Sequence, residues 1–217
     1  MLAHLVKKGE TIVLARLTSF FASIFLGIAC AHAVPVTVTL TGLGFSDGRL
    51  ALDFIDGGPP DNSVVITHAS LPSSVTEVRT GGVSGSLDST LTLSDGVFFS
   101  EFSTAYSGID QISFQFDATS NGPAGGSLPD SFSVFLLRSD DPTLTLFHTS
   151  DPSGADALLQ FSINGTSSGQ LSLYQDISTD HPPVQVRIGT IPEPNILWIF
   201  ALAAITGLAS YRRFPIR

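Results

Sequence analysis

Residues 112–117, Ile-Ser-Phe-Gln-Phe-Asp, show most clearly which fold class this chain adopts. Large apolar side chains alternate with polar ones, so an extended strand here has one apolar face and one polar face. The same alternation predicts further strands at 36–41, 50–55, 132–136, 159–163 and 184–188. Shorter or less regular segments raise the predicted total to roughly ten strands: 64–68, 75–78, 83–93, 98–106, 144–148 and 171–173.

Turn-forming residues separate these segments. Gly, Pro, Asp and Ser fill the intervals, and Asn164-Gly165 is a strong hairpin signal. Asn164-Gly165-Thr166 also matches a glycosylation sequon, but the hairpin explains the dipeptide better. Short strands with regular turns favour an antiparallel β-sandwich over a parallel sheet, because parallel strands need long crossovers. We therefore predict an all-β, jelly-roll-like sandwich with phenylalanine rings filling the space between its sheets.

The N-terminal residues predict an export signal. Basic residues precede an apolar run at 17–29, and Ala31 and Ala33 form the A-x-A pattern of a signal peptidase site. Residues 1–33 are therefore expected to be removed, which makes Val34 the first mature residue.

Cys30 offers an alternative interpretation as the lipidated residue of a lipoprotein. A lipobox has a large aliphatic residue three positions before the cysteine, and Gly27 stands there, so we favour signal peptidase cleavage. Cys30 is the only cysteine in the chain. The mature domain therefore has no disulfide and no thiol chemistry.

The C-terminal residues predict a single transmembrane helix. Residues 196–209 carry no charge, and Asn195–Tyr211 would span about 25 Å as a helix, near the lower limit for a bilayer core. Arg212 and Arg213 follow directly and predict that the tail stays on the cytoplasmic side. The alternative is a buried core segment, but an ordinary core helix would show a polar face, and this run has none.

Pro192-Glu193-Pro194 lies just before this apolar run. Two prolines hold a carboxylate in an extended, exposed peptide. The tripeptide, the short span and the arginine pair together resemble the PEP-CTERM sorting signal of Gram-negative bacteria that make extracellular polysaccharide. Ile191 departs mildly from the valine that often precedes the motif in that family. The resemblance implies that a membrane transpeptidase, exosortase, reads Pro192, Glu193 and Pro194 and removes the helix.

The resemblance extends, less specifically, to the mature domain. The segments 48–54, 83–93, 112–116 and 131–134 look like those of a recurring group of PEP-CTERM ectodomains, to which no activity is attached. The expected organisation is a signal peptide at 1–33, a sandwich at 34–190 and a sorting signal at 191–217.

The mature region is strongly acidic. Residues 34–191 contain 17 Asp and Glu against four Arg, a net charge of 4 − 17 = −13. This excess argues against nucleic acid, which needs a basic surface, and against docking on anionic lipid. An acidic surface serves solubility and is also able to attract divalent cations.

Catalytic residues are not evident. There is no G-x-S-x-G elbow, and His68, His148 and His181 lie in unrelated surroundings. Without cysteine or a histidine pair at ligand spacing, zinc is not expected. We therefore predict that the protein is not an enzyme and that it has no catalytic residues.

Calcium is the one cofactor that the sequence leaves open. Carboxylate-rich loops supply the oxygen ligands that calcium needs, although no D-x-D-x-D-G pattern is present. The simpler interpretation is that Asp forms turns. The candidate loops are Asp140-Asp141, residues 151–156, and the group Asp47, Asp53, Asp56 and Asp61.

The sequence leaves three classes of function open. The favoured one is an exported structural protein of the cell surface or matrix, with signal peptidase and exosortase as transient partners and extracellular polysaccharide as a further partner. A carbohydrate-binding module is the first alternative, but Trp198 lies in the apolar tail and the mature domain has only Tyr106 and Tyr174 as tyrosines. A permanently membrane-anchored surface domain is the second.

Overall fold

A computed structural model describes residues 35–45, 47–58, 61–71, 76–123, 127–165 and 169–190. Within these ranges the chain forms strands and no helix, as the alternating pattern predicts. The strands are β1 (Val36–Thr41), β2 (Gly48–Ile55), β3 (Ser63–Thr67), β4 (Val78–Thr80), β5 (Gly82–Gly85), β6 (Thr90–Ser94), β7 (Phe99–Tyr106), β8 (Gln111–Ala118), β9 (Asp130–Arg138), β10 (Leu159–Ile163), β11 (Gln170–Leu173) and β12 (Gln185–Thr190).

The strands form two six-stranded antiparallel sheets. The first has the order β12-β1-β8-β3-β6-β5, and the second has the order β11-β10-β9-β2-β7-β4. Neighbours in a sheet are mostly distant in sequence, so the chain crosses repeatedly between the two sheets. The predicted antiparallel, all-β architecture is confirmed.

The core lies between the sheets. Ile112, Phe114 and Phe116 of β8 are buried, and the alternate residues of that strand face outward. The ring of Phe116 lies 5.1 Å from that of Phe132 and 5.4 Å from that of Phe161, both in the opposite sheet. Each buried phenylalanine contributes about 2–3 kcal/mol through removal of apolar surface from water, so packing alone is able to hold a domain without disulfides.

Gly81 makes the corner at which the chain passes from one sheet to the other. It connects β4 of the second sheet to β5 of the first, with φ +73°. A Cβ there would lie 2.2 Å from the carbonyl oxygen of Phe99, so only glycine fits. The buried Ser100 hydroxyl accepts from the Gly82 amide at 2.8 Å and donates to the Ser94 carbonyl at 2.8 Å, which ties the two sheets together.

Two sequence predictions are corrected. The segment 83–93 is two strands, β5 and β6, because the chain turns at residues 86–89. The predicted strand at 144–148 is wrong, since it makes only an isolated bridge, from Thr145 to Leu137, at the end of β9 that β10 does not reach. The hairpin predicted at Asn164-Gly165 is confirmed, because β10 pairs antiparallel with β11.

The two ends of the sandwich differ in what they carry. At one end, β1 begins and β12 finishes, and Val36 is the register partner of Thr190. The connections after β2, β6 and β8 lie at this same end, which we call the terminal end. The connections after β1, β7, β9 and β11 lie at the opposite end, which we call the cleft end.

Among the described residues, no helix is long and apolar enough to cross a membrane.

Candidate functional site

Three carboxylates meet at the terminal end. Asp56 follows β2, Asp95 follows β6 and Asp130 opens β9, and one oxygen of each lies within 4.8 Å of the others. Asp130 is 2% exposed, whereas Asp56 and Asp95 are half-buried. Strand ends that are far apart in the chain therefore bring this cluster together. We call these three residues the acidic cluster.

Asn62 organises the acidic cluster. Its side-chain amide donates to the Asp130 carboxylate at 2.7 Å and to the carbonyl of Asn121 at 3.2 Å. Its own carbonyl oxygen accepts from the Thr119 hydroxyl at 2.5 Å, and its backbone amide donates to Asp95. Asn62 is 5% exposed, so these hydrogen bonds take the place of those that it would otherwise make with water.

Backbone amides neutralise part of the remaining charge. The Gly57 amide donates to Asp130 at 2.7 Å, and the Gly58 amide donates to Asp56 at 2.6 Å. Burial raises the pKa of Asp95, the hydrogen bond from the Asn62 amide opposes that shift, and the charges of Asp130, Asp61 and Asp56 add to it. The acidic cluster is therefore stabilised by amide donors but retains mutual repulsion.

Closely spaced carboxylates are able to ligate a hard divalent cation. Calcium takes six to eight oxygens, and carboxylates at this spacing supply several of them. Of the four aspartates that the sequence grouped together, Asp56 belongs to the acidic cluster and Asp61 lies near enough to affect the pKa of Asp95. Sequence reasoning missed Asp95 and Asp130, whose only signal is that each lies at a strand boundary.

The other predicted calcium loops use their carboxylates locally. Asp140 pairs with Arg138 at 2.8 Å, and Asp141 accepts from the Thr143 hydroxyl at 2.6 Å. Asp151 accepts from the Ser153 amide at 2.9 Å in the same kind of turn. These groups act as the turn formers that the simpler interpretation expected.

Asp53 lies at a second place where carboxylates approach one another. It is the register partner of Glu101 on the outer face of the second sheet, in a cavity of about 210 Å³ that Pro142 and Thr145 also line. One carboxylate oxygen of Asp53 is buried and has no hydrogen-bond partner. Burial, with a smaller contribution from Glu101, raises the pKa of Asp53 to about 7.

An open cleft of about 570 Å³ lies at the cleft end. Its lining includes Arg138, His148 and Asp180, together with Phe147 and Ile177. Arg138 is already paired with Asp140, and His148 with Asp156 at 2.8 Å. Two of the side chains that line the cleft are therefore engaged with neighbouring carboxylates.

His181 lies at the same end. Its ring stacks on Phe45 with the centroids 4.0 Å apart and approaches the ring of Phe147 at 5.5 Å. The side chain is 9% exposed, its Nδ1 lies 3.6 Å from the Asp176 carboxylate, and its Nε2 lies 3.6 Å from the Asp180 carboxylate. His181 thus packs against two aromatic rings and lies beside two carboxylates. His148 pairs instead with Asp156, and His68 contacts the Thr67 hydroxyl at 3.1 Å.

Tyr106 is buried, and burial raises the pKa of its hydroxyl. Tyr174 donates to Gln160 at 3.2 Å. The predicted processing residues lie outside the described residues: Ala31, Ala33, Pro192, Glu193, Pro194, Arg212 and Arg213.

Comparison with known proteins identifies no relative of this chain: no family model, no curated protein and no solved structure matches it.

Proposed function

We propose that this protein is an exported surface or matrix protein whose β-sandwich lies on the outer side of the inner membrane. Signal peptidase releases the N-terminus after Ala33. The apolar tail then anchors the chain transiently. An exosortase-type transpeptidase reads Pro192, Glu193 and Pro194 and frees the domain for the cell surface or the exopolysaccharide matrix, where its role is structural.

The position of the domain's two ends is the main support for this proposal. Val36 pairs with Thr190, so the segments that lead to both predicted membrane signals leave adjacent strands at one end of the sandwich. β12 ends two residues before Pro192. A protease or transpeptidase needs an extended peptide outside the folded domain, and the two prolines of the motif favour such a peptide.

The strand order supports a jelly-roll-like description of the domain. β1, β8, β3 and β6 are consecutive in one sheet, and β2, β7 and β4 are consecutive in the other. Alternation of successive strands between two sheets is the arrangement of paired Greek keys. We regard the remaining strands as additions at the sheet edges.

The test of the sorting signal is Glu193→Ala in the native host. The change removes one charge outside the sandwich, so folding should be unaffected. The expected result is loss of processing, with the full-length tail retained in the inner membrane fraction. Asn195→Ala is the matched control, because it alters a neighbouring residue and leaves the tripeptide intact.

Equal processing of Glu193→Ala and wild type would contradict the proposal. The protein would then be a permanently anchored surface domain. Replacement of Arg212 and Arg213 should act differently, by weakening retention of the tail on the cytoplasmic side.

The carbohydrate-binding alternative has a specific location to test. The open cleft at the cleft end has the size of a ligand site. However, its aromatic residue Phe147 is 7% exposed and so presents little ring surface to a sugar. A glycan array with the purified domain separates this alternative from the structural role.

A further inference from the structure

Four apolar side chains are exposed at the terminal end. Phe98 is 72% exposed, Leu128 is 73% exposed, Val97 is 46% exposed and Ile55 is 38% exposed. We call these four residues the apolar rim. Large apolar groups gathered on a surface mark an interaction site more often than scattered ones do.

The backbone holds the apolar rim together. The Asp56 amide donates to the Phe98 carbonyl at 3.0 Å, and the Leu128 amide donates to the Gly57 carbonyl at 3.1 Å. Phe98 and Leu128 therefore flank the same short segment that follows Ile55 at the end of β2. The exposed side chains are presented by paired backbone at the ends of three neighbouring strands of one sheet.

The apolar rim and the start of the tail lie at the same end of the domain. Asn195 follows Thr190 by five residues, which reach at most about 18 Å when fully extended. Strand and sheet spacings of about 4.8 Å and 10 Å put the rim on the order of 20 Å from Thr190, across the end of the sandwich. A tail anchored from Asn195 onward would therefore keep Thr190, at the terminal end, within about 18 Å of the bilayer surface.

We propose that the apolar rim docks on the lipid surface while the chain is anchored, with zwitterionic phospholipid as the partner. This inference rests on the proposed membrane-anchored state. Phe98 and Leu128 enter the interfacial layer, where apolar side chains leave water without crossing the bilayer. Docking holds the domain upright beside Pro192-Glu193-Pro194 until the tail is removed.

The neighbouring charges select the lipid class. Asp56, Asp95 and Asp130 lie at the same end as the apolar rim. Anionic headgroups would be repelled by them, whereas the ammonium groups of zwitterionic lipids would not. A second copy of this chain fits less well, because a two-fold interface would bring two acidic clusters together.

The experiment places a single environment-sensitive fluorophore on the full chain in phosphatidylcholine vesicles. Cys30→Ala removes the natural cysteine, and Phe98→Cys supplies the labelling site; Leu128→Cys is a second rim site. Leu144→Cys is the matched control, because Leu144 is 48% exposed at the cleft end. Spin-labelled lipid is the quencher, and circular dichroism confirms that each variant is folded.

The expected result is quenching several-fold stronger at residues 98 and 128 than at residue 144. Exchanging phosphatidylcholine for phosphatidylglycerol should weaken rim quenching at low salt. Trp198, the only tryptophan of the chain, reports independently on the tail. It should be quenched in both lipids.

The other outcomes overturn the inference in distinguishable ways. Quenched Trp198 with equally weak quenching at residues 98 and 144 would refute docking and leave the anchor standing. Unquenched Trp198 would refute the anchor and the docking together. A label at residue 98 that responds to protein density rather than to quencher lipid would mean that a second copy covers the rim.

Discussion

The terminal end and the cleft end are built from the same twelve strands but carry different chemistry. The terminal end combines the acidic cluster, the apolar rim and both ends of the domain. The cleft end combines an open cavity with a histidine stacked on phenylalanine. Strand order fixes which connections meet, but the connections decide what each end is able to bind. The proposed anchoring and the proposed lipid docking both concern the terminal end.

The largest loss of stability is expected from Asn62→Ala, at the terminal end. The substitution removes the donor to Asp130 and the acceptor for Thr119, and it leaves a 2% exposed carboxylate with one fewer partner. Loss of a donor to a buried charged group should lower the free energy of unfolding by about 2–4 kcal/mol. Urea denaturation of wild type and Asn62→Ala measures this loss.

Asn121→Ala is the control for this prediction. Its side chain is exposed and donates to the Asp61 carbonyl at 2.8 Å. We expect Asn121→Ala to lower the free energy of unfolding by less than about 1 kcal/mol. Equal losses for the two variants would mean that the acidic cluster does not depend on Asn62.

Asp53→Asn tests the middle of the second sheet, between the two ends. The pKa of Asp53 is raised from 3.8 to about 7, so the native state keeps a proton that the unfolded chain loses as pH rises through that interval. The contribution of protonated Asp53 to stability is therefore fully present at pH 3 and is lost as the pH rises to about 7. Asp53→Asn cannot ionise. Its free energy of unfolding should be about 1–3 kcal/mol above that of wild type at pH 8 and about equal to it at pH 3.

Thermal or urea denaturation across pH checks this prediction. Glu101→Gln is the matched variant, because it removes only the smaller contribution to the pKa shift. It should produce a weaker change of the same sign. Parallel pH profiles of wild type and Asp53→Asn would contradict the account.

The cleft end should depend on the packing of the His181 ring. His181→Ala removes the stack on Phe45 and should lower the free energy of unfolding by about 1–2 kcal/mol. His181→Phe keeps an aromatic ring and removes only the ring nitrogens near Asp176 and Asp180, so it should cost less than His181→Ala. If His181→Phe were as damaging as His181→Ala in urea denaturation, a polar role of the histidine would replace packing.

The smallest expected effect concerns calcium, which remains a prediction at the acidic cluster. With the millimolar affinity common in extracellular modules, calcium at ten times Kd should add about 1.4 kcal/mol to the free energy of unfolding. This corresponds to a rise in Tm of about 3–6 °C. A thermal scan with and without chelator measures the rise, and Asp95→Asn should abolish it. An equal rise in Asp95→Asn would place any bound ion elsewhere.

Alternation in the sequence was sufficient to predict the fold class. Apolar and polar side chains alternate in residues 112–116 and 132–136 because one face of each strand packs on the core. This pattern is visible in the sequence itself. The segment 144–148 also alternates, yet it is not a strand. Whether a segment becomes a strand depends on how far its backbone pairing extends, and this segment makes only an isolated bridge to the end of β9.

The site was less predictable than the fold. Asp56 was among the predicted acidic residues, but Asp95 and Asp130 join it only because β6 and β9 reach the same end of the sandwich. The sequence did not indicate the apolar rim either. Phe98 and Leu128 are apolar residues, and nothing in the sequence distinguishes them from residues of the core, yet both are exposed. Burial and long-range pairing are properties of the folded topology.

Intact mass of the protein recovered from the surface fraction of the native host is the direct test of processing at both ends of the chain. Removal of both predicted signals gives a chain that begins at Val34 and ends near Pro192-Glu193-Pro194. Because Trp198 is the only tryptophan, this product should also lack tryptophan absorbance. A surface protein whose mass includes residues 195–217, with tryptophan present, would contradict the account.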